Sequence, residues 1–157
     1  MSQPATTTPN PAATRKQERL NAVMRRILRS PLHRVVSGKL LIVTVVGRKT
    51  GRVYEHPVAY AEHDGTLLIG TAATWRHNLR PGEPVRIGLR RREIDADWEV
   101  VTDVDAAAEP YRIILEQNPT HGKYAGISLN SDGSVNREEL AAAFARGTAV
   151  VRLRPRG

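Results

Sequence analysis

The densest group of side chains that could bind a ligand lies between two glycines, in the stretch Gly47–Gly51. The flanking segments LLIVTVV and VYEHPVAYA are rich in β-branched residues, so this stretch is predicted to be a tight hairpin turn. Arg48, Lys49 and Thr50 would then offer a guanidinium, an ammonium and a hydroxyl, with backbone N–H groups, to a phosphate or carboxylate. The stretch is not a Walker A loop, because Gly-Lys-Ser/Thr is missing and no helical pattern follows Gly51. A solvated basic turn has the same composition, so both interpretations stay open here.

A second candidate site is the segment GTAATWRHNLRPGEPVRI, residues 70–87. It runs from a predicted strand into small and hydroxyl-bearing residues and then into Trp75. Thr71 and Thr74 could hydrogen bond to a polar ring edge or a phosphate, and Trp75 could form the wall beside a flat ring. Trp75 and Leu79 could equally be core anchors of a short helical turn.

Other ligand-binding patterns are weak. The five histidines are scattered at positions 33, 56, 63, 77 and 121, with no H-E-x-x-H pair, so no metal site is predicted. The segment 128–139 has too few carboxylates for an EF-hand calcium loop. The arginine-rich strand VRIGLRRRE lacks the interleaved aromatic residues that stack on bases, so no nucleic-acid partner is predicted.

Composition favours one globular domain. The 157 residues are 40% hydrophobic and 25% charged, and the chain has no cysteine, which excludes disulfides and is compatible with the cytoplasm. No apolar run approaches the roughly 18 residues that a membrane span needs. Residues 1–14 have the composition of a disordered tail, and residues 15–157 are predicted to form the single domain.

Residues 15–30 have the pattern of a basic amphipathic helix, with apolar residues at spacings of three and four and arginines on the other face. Such a helix could pack on the domain or lie on an anionic membrane surface, and peripheral membrane contact through residues 15–30 is kept as an alternative.

Short strand-like runs dominate the rest of the chain. The predicted strands are residues 40–46, 53–61, 66–71, 84–91, 93–101 and 148–154. Two helical segments, 106–117 and one that begins after Asn136, precede the last strand, and Asn136 and Glu139 have the spacing of a capping box. The expected fold is therefore mainly β, a six-stranded antiparallel barrel with an N-terminal helix and helical inserts before the last strand.

The motifs G-R-K-T-G, an internal Pro57 in the second strand, and W-x-x-N-L-R occur in an order that resembles the deazaflavin-dependent nitroreductase family. The resemblance covers residues 40–101. It implies a split β-barrel that binds the 8-hydroxy-5-deazaflavin coenzyme F420. In relatives the hairpin contacts the coenzyme's phosphate and acidic tail, and many relatives carry a further basic residue where this chain has Tyr54.

The resemblance also assigns site residues. It implies cofactor-binding roles for Arg48, Lys49, Thr50, Gly51, Thr71, Ala72, Ala73, Thr74, Trp75 and Asn78. The stretch NPTHGKY matches a segment that borders the substrate in relatives. His121 and Tyr124 are therefore the candidate catalytic residues, which could hold or protonate the acceptor.

The function implied by the resemblance is F420H2-dependent transfer of hydride to a small-molecule acceptor such as a quinone, enone or nitroaromatic. Two alternatives stay open: a split-barrel reductase that uses FMN, and a non-catalytic protein that binds a cofactor or lipid at the membrane surface. The sequence predicts a cytoplasmic protein, with membrane association as the alternative, and leaves monomer and homodimer both open.

Overall fold

The structure, a computed structural model, describes residues 40–156, which form seven strands, three α-helices and one short 3₁₀ helix. The strands are β1 Leu40–Val46, β2 Val53–Ala59, β3 Ala61–His63, β4 Thr66–Thr71, β5 Val85–Leu89, β6 Arg92–Val101 and β7 Ala149–Pro155. The α-helices are α1 Val104–Gln117, α2 Pro119–Ala125 and α3 Arg137–Ala145, and the 3₁₀ helix is Thr74–Asn78.

The strands form one antiparallel sheet in the order β2-β1-β5-β6-β7-β4-β3. Its two edge strands, β2 and β3, are consecutive in the chain and separated by Tyr60 alone. Because the two edges are joined by one residue, the sheet must curl until they lie side by side. The described part of the chain therefore forms the split-barrel architecture that the sequence predicts.

The predicted strand count of six is wrong, because the predicted strand 53–61 is two strands. Residues 53–59 pair with β1, from Val53 opposite Val46 to Ala59 opposite Leu40. Ala61 begins β3, which continues past the predicted strand to His63 and pairs with β4. The break falls at Tyr60, whose ring is buried in the barrel core. Pro57 is tolerated in β2 because an edge strand leaves one side of its backbone without a ladder partner.

Alternating side chains of the curled sheet supply two hydrophobic cores. On β4, Leu67 and Ile69 face the barrel interior and Leu68 faces the helices, as expected from the two-residue period of a strand. The inner core also holds Trp75 from the 3₁₀ helix, and the outer core holds Tyr111 from α1. The 3₁₀ helix is thus anchored to the barrel from within.

Side-chain caps begin the two predicted helices. The carboxylate of Asp103 accepts a hydrogen bond from the Ala106 N–H at 2.8 Å, and Asn136 Oδ1 accepts one from the Glu139 N–H at 3.0 Å. The predicted capping box is only half formed, because the Glu139 carboxylate accepts hydrogen bonds from Ser128 instead. Helix α2 was not predicted. It begins at Pro119, a residue suited to the first helical turn, and ends at Gly126 in the left-handed conformation.

The predicted tail, residues 1–14, and the predicted amphipathic helix, residues 15–30, lie outside the described residues. Within residues 40–156, no helix has both the length and the hydropathy that crossing a membrane requires.

The two helix-capping asparagines provide a matched test of the fold. Asn136→Ala removes a side-chain cap and should lower the free energy of unfolding by about 1 kcal/mol. Asn118 stands at the corresponding position of α2 but makes no side-chain cap hydrogen bond, so Asn118→Ala should cost less than about 0.5 kcal/mol. Urea unfolding of both variants measures the difference. Equal losses would contradict the assigned cap.

Candidate functional site

The β1–β2 hairpin and the 3₁₀ helix face each other across a groove of about 780 Å³. The groove is lined by Gly47, Arg48, Lys49, Thr50, Tyr54, His56, Thr74, Trp75, His77 and Asn78. The two predicted ligand-binding segments are distant in sequence, but β4 delivers the 3₁₀ helix to the end of β1 that carries the hairpin. The sheet therefore brings them together into one site.

The two glycines of the hairpin are needed for different reasons. Gly51 has φ +70°, in the left-handed region that favours glycine, and its N–H donates to the Gly47 carbonyl at 3.0 Å. Gly47 has no room for a side chain. A Cβ there would lie 2.7 Å from Cε2 of Tyr54 and 2.8 Å from Oγ1 of Thr50. The Tyr54 ring thus packs directly on the turn that presents Arg48 and Lys49.

Asn78 ties the hairpin to the 3₁₀ helix. Its Oδ1 accepts a hydrogen bond from the Arg48 N–H at 3.1 Å, and the Arg48 guanidinium donates to the His77 carbonyl at 3.4 Å. Asn78 was predicted to bind the cofactor. Its observed contact is with the hairpin backbone, which it holds against the opposite wall of the groove.

The groove is electrostatically positive. None of its described lining residues is acidic, and Arg48 and Lys49 are exposed. Within residues 40–156 neither of these two side chains forms a salt bridge, whereas Arg86, Arg112 and Arg156 each pair with a carboxylate. Two cations that have no counter-ion in the described part of the chain, beside hydroxyl groups, form a site suited to a phosphate or carboxylate ligand.

Three aromatic rings form one wall of the groove. Tyr54 and His56 stack with centroids 6.3 Å apart, and His56 and Trp75 stack at 6.3 Å. Trp75 is only 3% exposed, so it is mainly a core anchor, and its Nε1 has no hydrogen-bond partner among the described residues. Burial lowers the pKa of His56, which keeps its ring neutral at neutral pH. The outer part of the wall is therefore a flat, uncharged surface.

The loop after β4 is short and open. The Thr71 hydroxyl accepts a hydrogen bond from the Ala73 N–H at 3.0 Å, and Ala72, Ala73 and Thr74 are exposed. Thr74 begins the 3₁₀ helix and lines the groove, while Thr71, Ala72 and Ala73 lead into it from the end of β4.

The structure thus gathers six of the predicted cofactor-binding residues around one groove: Arg48, Lys49, Thr50, Thr74, Trp75 and Asn78. Gly51 shapes the turn without lining the groove. The prediction did not include Tyr54, His56 and His77. The two-residue period of β2 places Tyr54 and His56 on one face and would have found the pair.

The two predicted catalytic residues lie elsewhere. His121 sits on the outer face of the sheet, where its Nε2 is 2.9 Å from the Tyr111 hydroxyl. Tyr124, on α2, is 72% exposed. Neither is among the described residues that line the groove. Burial lowers the pKa of His121 and raises that of Tyr111, so both are neutral at neutral pH.

The described residues contain no group of three or more histidine or acidic side chains placed to hold a metal ion. In the segment compared with an EF-hand, the Asp132 carboxylate accepts hydrogen bonds from the Ser134 N–H at 2.9 Å and the Ser134 hydroxyl at 2.5 Å. These contacts close a turn that leads into α3.

The chain is similar in sequence to one protein family and in fold to several solved structures. A family model described as F420H(2)-dependent quinone reductase matches residues 16–128. A conserved hypothetical protein from Mycobacterium tuberculosis, 14% identical, aligns over 100% of this chain and 87% of its own, with a TM-score of 0.53. A Bacteroides thetaiotaomicron protein proposed to confer 5-nitroimidazole antibiotic resistance, 12% identical, aligns over 87% of this chain and 80% of its own, with a TM-score of 0.51. These structural likenesses support a shared fold. No curated protein sequence matches the chain.

Two partly buried histidines predict how stability depends on pH. Because burial lowers the pKa of His56 and His121, the unfolded chain takes up protons at a higher pH than the folded chain does. The free energy of unfolding should therefore decrease as the pH falls below about 6.5, the ordinary pKa of imidazole.

Urea unfolding between about pH 7 and pH 5.5 measures this effect, in a range above the titration of ordinary carboxylates. The pH dependence should be smaller in His56→Gln and His121→Gln and smallest in the double variant. A double variant with the full wild-type pH dependence would contradict the assignment to these two rings.

Proposed function

The chain belongs to the F420H(2)-dependent quinone reductase family, and from that premise we propose that the groove between the hairpin and the 3₁₀ helix binds F420 for reduction of a quinone-like acceptor. The observation that carries this proposal is that the groove's described lining has no acidic side chain, while Arg48 and Lys49 form no salt bridge with any of residues 40–156. An enone or a nitroaromatic is likewise an electron-poor conjugated system that can accept a hydride, and it belongs to the same proposed acceptor class.

The residues of the groove fit the chemistry of F420, which carries a phosphate and an acidic tail on a deazaflavin ring. Arg48 and Lys49 would bind the anionic groups, and the hydroxyls of Thr50 and Thr74 would donate hydrogen bonds to them. The exposed backbone after Thr71 offers further N–H groups. When bound, reduced F420 supplies a hydride from its deazaflavin ring to the acceptor.

The chain's own residues contribute orientation. We call the pair Arg48 and Lys49 the clamp. The Asn78 side-chain oxygen accepts a hydrogen bond from the Arg48 N–H and so fixes the clamp relative to the 3₁₀ helix. The Tyr54 ring, packed on Gly47, supports the same turn from the other side. The uncharged face of His56, between Tyr54 and Trp75, is suited to contact with a planar ring. Since Trp75 anchors the 3₁₀ helix in the barrel core and Asn78 bonds the hairpin to that helix, the site is organised before a ligand arrives.

On the acceptor side we propose Tyr124 as the contacting residue. Its phenol is exposed on α2, the helix that also carries the outer-face His121. A phenolic O–H can donate a hydrogen bond to an acceptor oxygen, which gains negative charge as the acceptor is reduced. The Nε2 of His121 is already bonded to Tyr111, so His121 is better suited to placing α2 than to contacting the acceptor.

The direct test of the proposed function is steady-state oxidation of F420H2 by a soluble quinone, followed by the return of the F420 absorbance. The proposal expects turnover that saturates in both reactants and depends on the protein. A protein that co-purifies with FMN, binds no F420 and oxidises no F420H2 would contradict it and favour the FMN alternative.

Removing the clamp should weaken cofactor binding. The double variant Arg48→Ala/Lys49→Ala loses two charge-assisted contacts, so its Kd for F420 should rise by roughly tenfold to a hundredfold. Titration followed by tryptophan fluorescence measures the change. The double variant Arg91→Ala/Arg92→Ala removes the same charge from an exposed turn outside the groove and should leave Kd within about twofold. Equal losses in the two variants would show a general charge effect and not a clamp.

Tyr124→Phe should separate the acceptor side from the cofactor side. Loss of the phenolic hydroxyl should lower kcat by about tenfold, the value of one hydrogen bond, and leave the Kd for F420 unchanged. Lys123→Ala, at the neighbouring exposed position of α2, is the control for disturbance of the helix. Wild-type kcat in Tyr124→Phe would remove Tyr124 from the proposed site.

A further inference from the structure

A polar pair, one member of which is fully buried, lies on the outer face of the sheet, outside the groove. Tyr111 of α1 is fully buried, and its hydroxyl lies 2.9 Å from Nε2 of His121 in α2. The two rings are 5.6 Å apart, and Phe144 of α3 meets the Tyr111 ring edge-on at 6.1 Å. The pair therefore connects the helical layer at the point where α1 and α2 meet the sheet.

Both rings rest on the backbone of Gly70. A Cβ at Gly70 would lie 2.5 Å from the Tyr111 hydroxyl oxygen and 2.9 Å from Nε2 of His121. Gly70 is held in the sheet opposite Val150 of β7, and the next residue, Thr71, ends β4 and begins the loop that leads to the groove. The absence of a side chain at Gly70 is thus what allows the pair to reach the end of β4.

The hydrogen bond joins two neutral side chains. The His121 tautomer sets which atom donates, because the Tyr111 hydroxyl can either donate or accept. A part-buried hydrogen bond between α1 and α2, over the end of β4, restricts their relative position more closely than apolar contacts do. Gly122 adds to this restriction, because a Cβ there would lie 2.5 Å from the Ile127 carbonyl oxygen. Helix α2 is therefore seated closely at both of these points.

We propose that Tyr111 and His121 are positioning residues, whose hydrogen bond over Gly70 sets the distance between the Thr71–Thr74 loop and helix α2. This rests on the proposed function in one respect: the loop is assigned to the cofactor side and Tyr124 of α2 to the acceptor side. The pair touches neither reactant. It fixes the two elements that would present the cofactor and the acceptor to each other.

The first test needs no cofactor. Amide hydrogen exchange in the ligand-free protein should be about tenfold faster at residues 70–73 and in α2 in Tyr111→Phe, with the hairpin 47–52 unchanged. Tyr60→Phe is the matched control, because Tyr60 is also a buried tyrosine but lies in the inner core. Wild-type exchange in these two segments, or a uniform rise throughout the chain, would overturn the proposal.

The second test separates positioning from general stability. Tyr111→Phe and His121→Leu should each lower kcat by about tenfold with the Kd for F420 within about twofold, and the double variant should be no worse than either. His121→Gln keeps a hydrogen-bond acceptor near the Nε2 position and should recover most of kcat. Additive losses, or no recovery with glutamine, would overturn the proposal. If the wild-type protein binds no F420, the proposed function fails, and the exchange measurement alone decides whether the pair couples the two segments.

Discussion

One stretch of chain has to pair at both edges of the sheet. Residues 53–63 form β2 beside β1 and, after the bend at Tyr60, β3 beside β4. This constraint curls the seven strands around the inner core, and the curled sheet has two consequences for the site. It carries the 3₁₀ helix back to the β1–β2 hairpin, and it leaves an outer face on which the three helices pack. The groove and the helical layer therefore both depend on the same bend.

The positive charge of the groove depends on two features, the cations Arg48 and Lys49 and the lack of acidic side chains in its described lining. Several arginines outside the groove form salt bridges with nearby carboxylates, as in the Arg156–Asp97 and Arg86–Asp95 pairs. Arg48 and Lys49 are presented on a turn whose described lining has no acid, and the turn is braced by Asn78 on one side and Tyr54 on the other. Preorganised cations of this kind favour an anionic ligand without a rearrangement of the protein. The exposed position of both side chains means that salt should weaken the attraction.

Much of the fold could be predicted from the sequence, because it is encoded locally. Strand β1 and strand β4 have the predicted bounds, and the Asp103 and Asn136 caps mark where α1 and α3 begin. The division of residues 53–61 could not be predicted, since Tyr60 has ordinary strand propensity and bends only because the two halves pair with different partners. Helix α2 was missed for a similar reason. Its sequence PTHGKYA has weak helical propensity, and close packing at Gly122 holds it in place.

The residues of the candidate site could be predicted better than the contacts between them. Arg48, Lys49 and Asn78 belong to short motifs, and the structure brings them together, but the Asn78–Arg48 hydrogen bond is a tertiary contact with no local signal. The contact of His121 with Tyr111 across Gly70 is likewise invisible in the sequence.

The most direct test of F420 binding in the groove is the mapping of F420 on the protein by amide chemical-shift changes. Binding there should shift the amides of Arg48, Lys49, Thr74 and Asn78, and these shifts should saturate together with one Kd. Shifts confined instead to the neighbouring groove lined by Glu83, Arg86 and Trp98 would contradict it, because that groove contains acidic side chains and lacks the clamp.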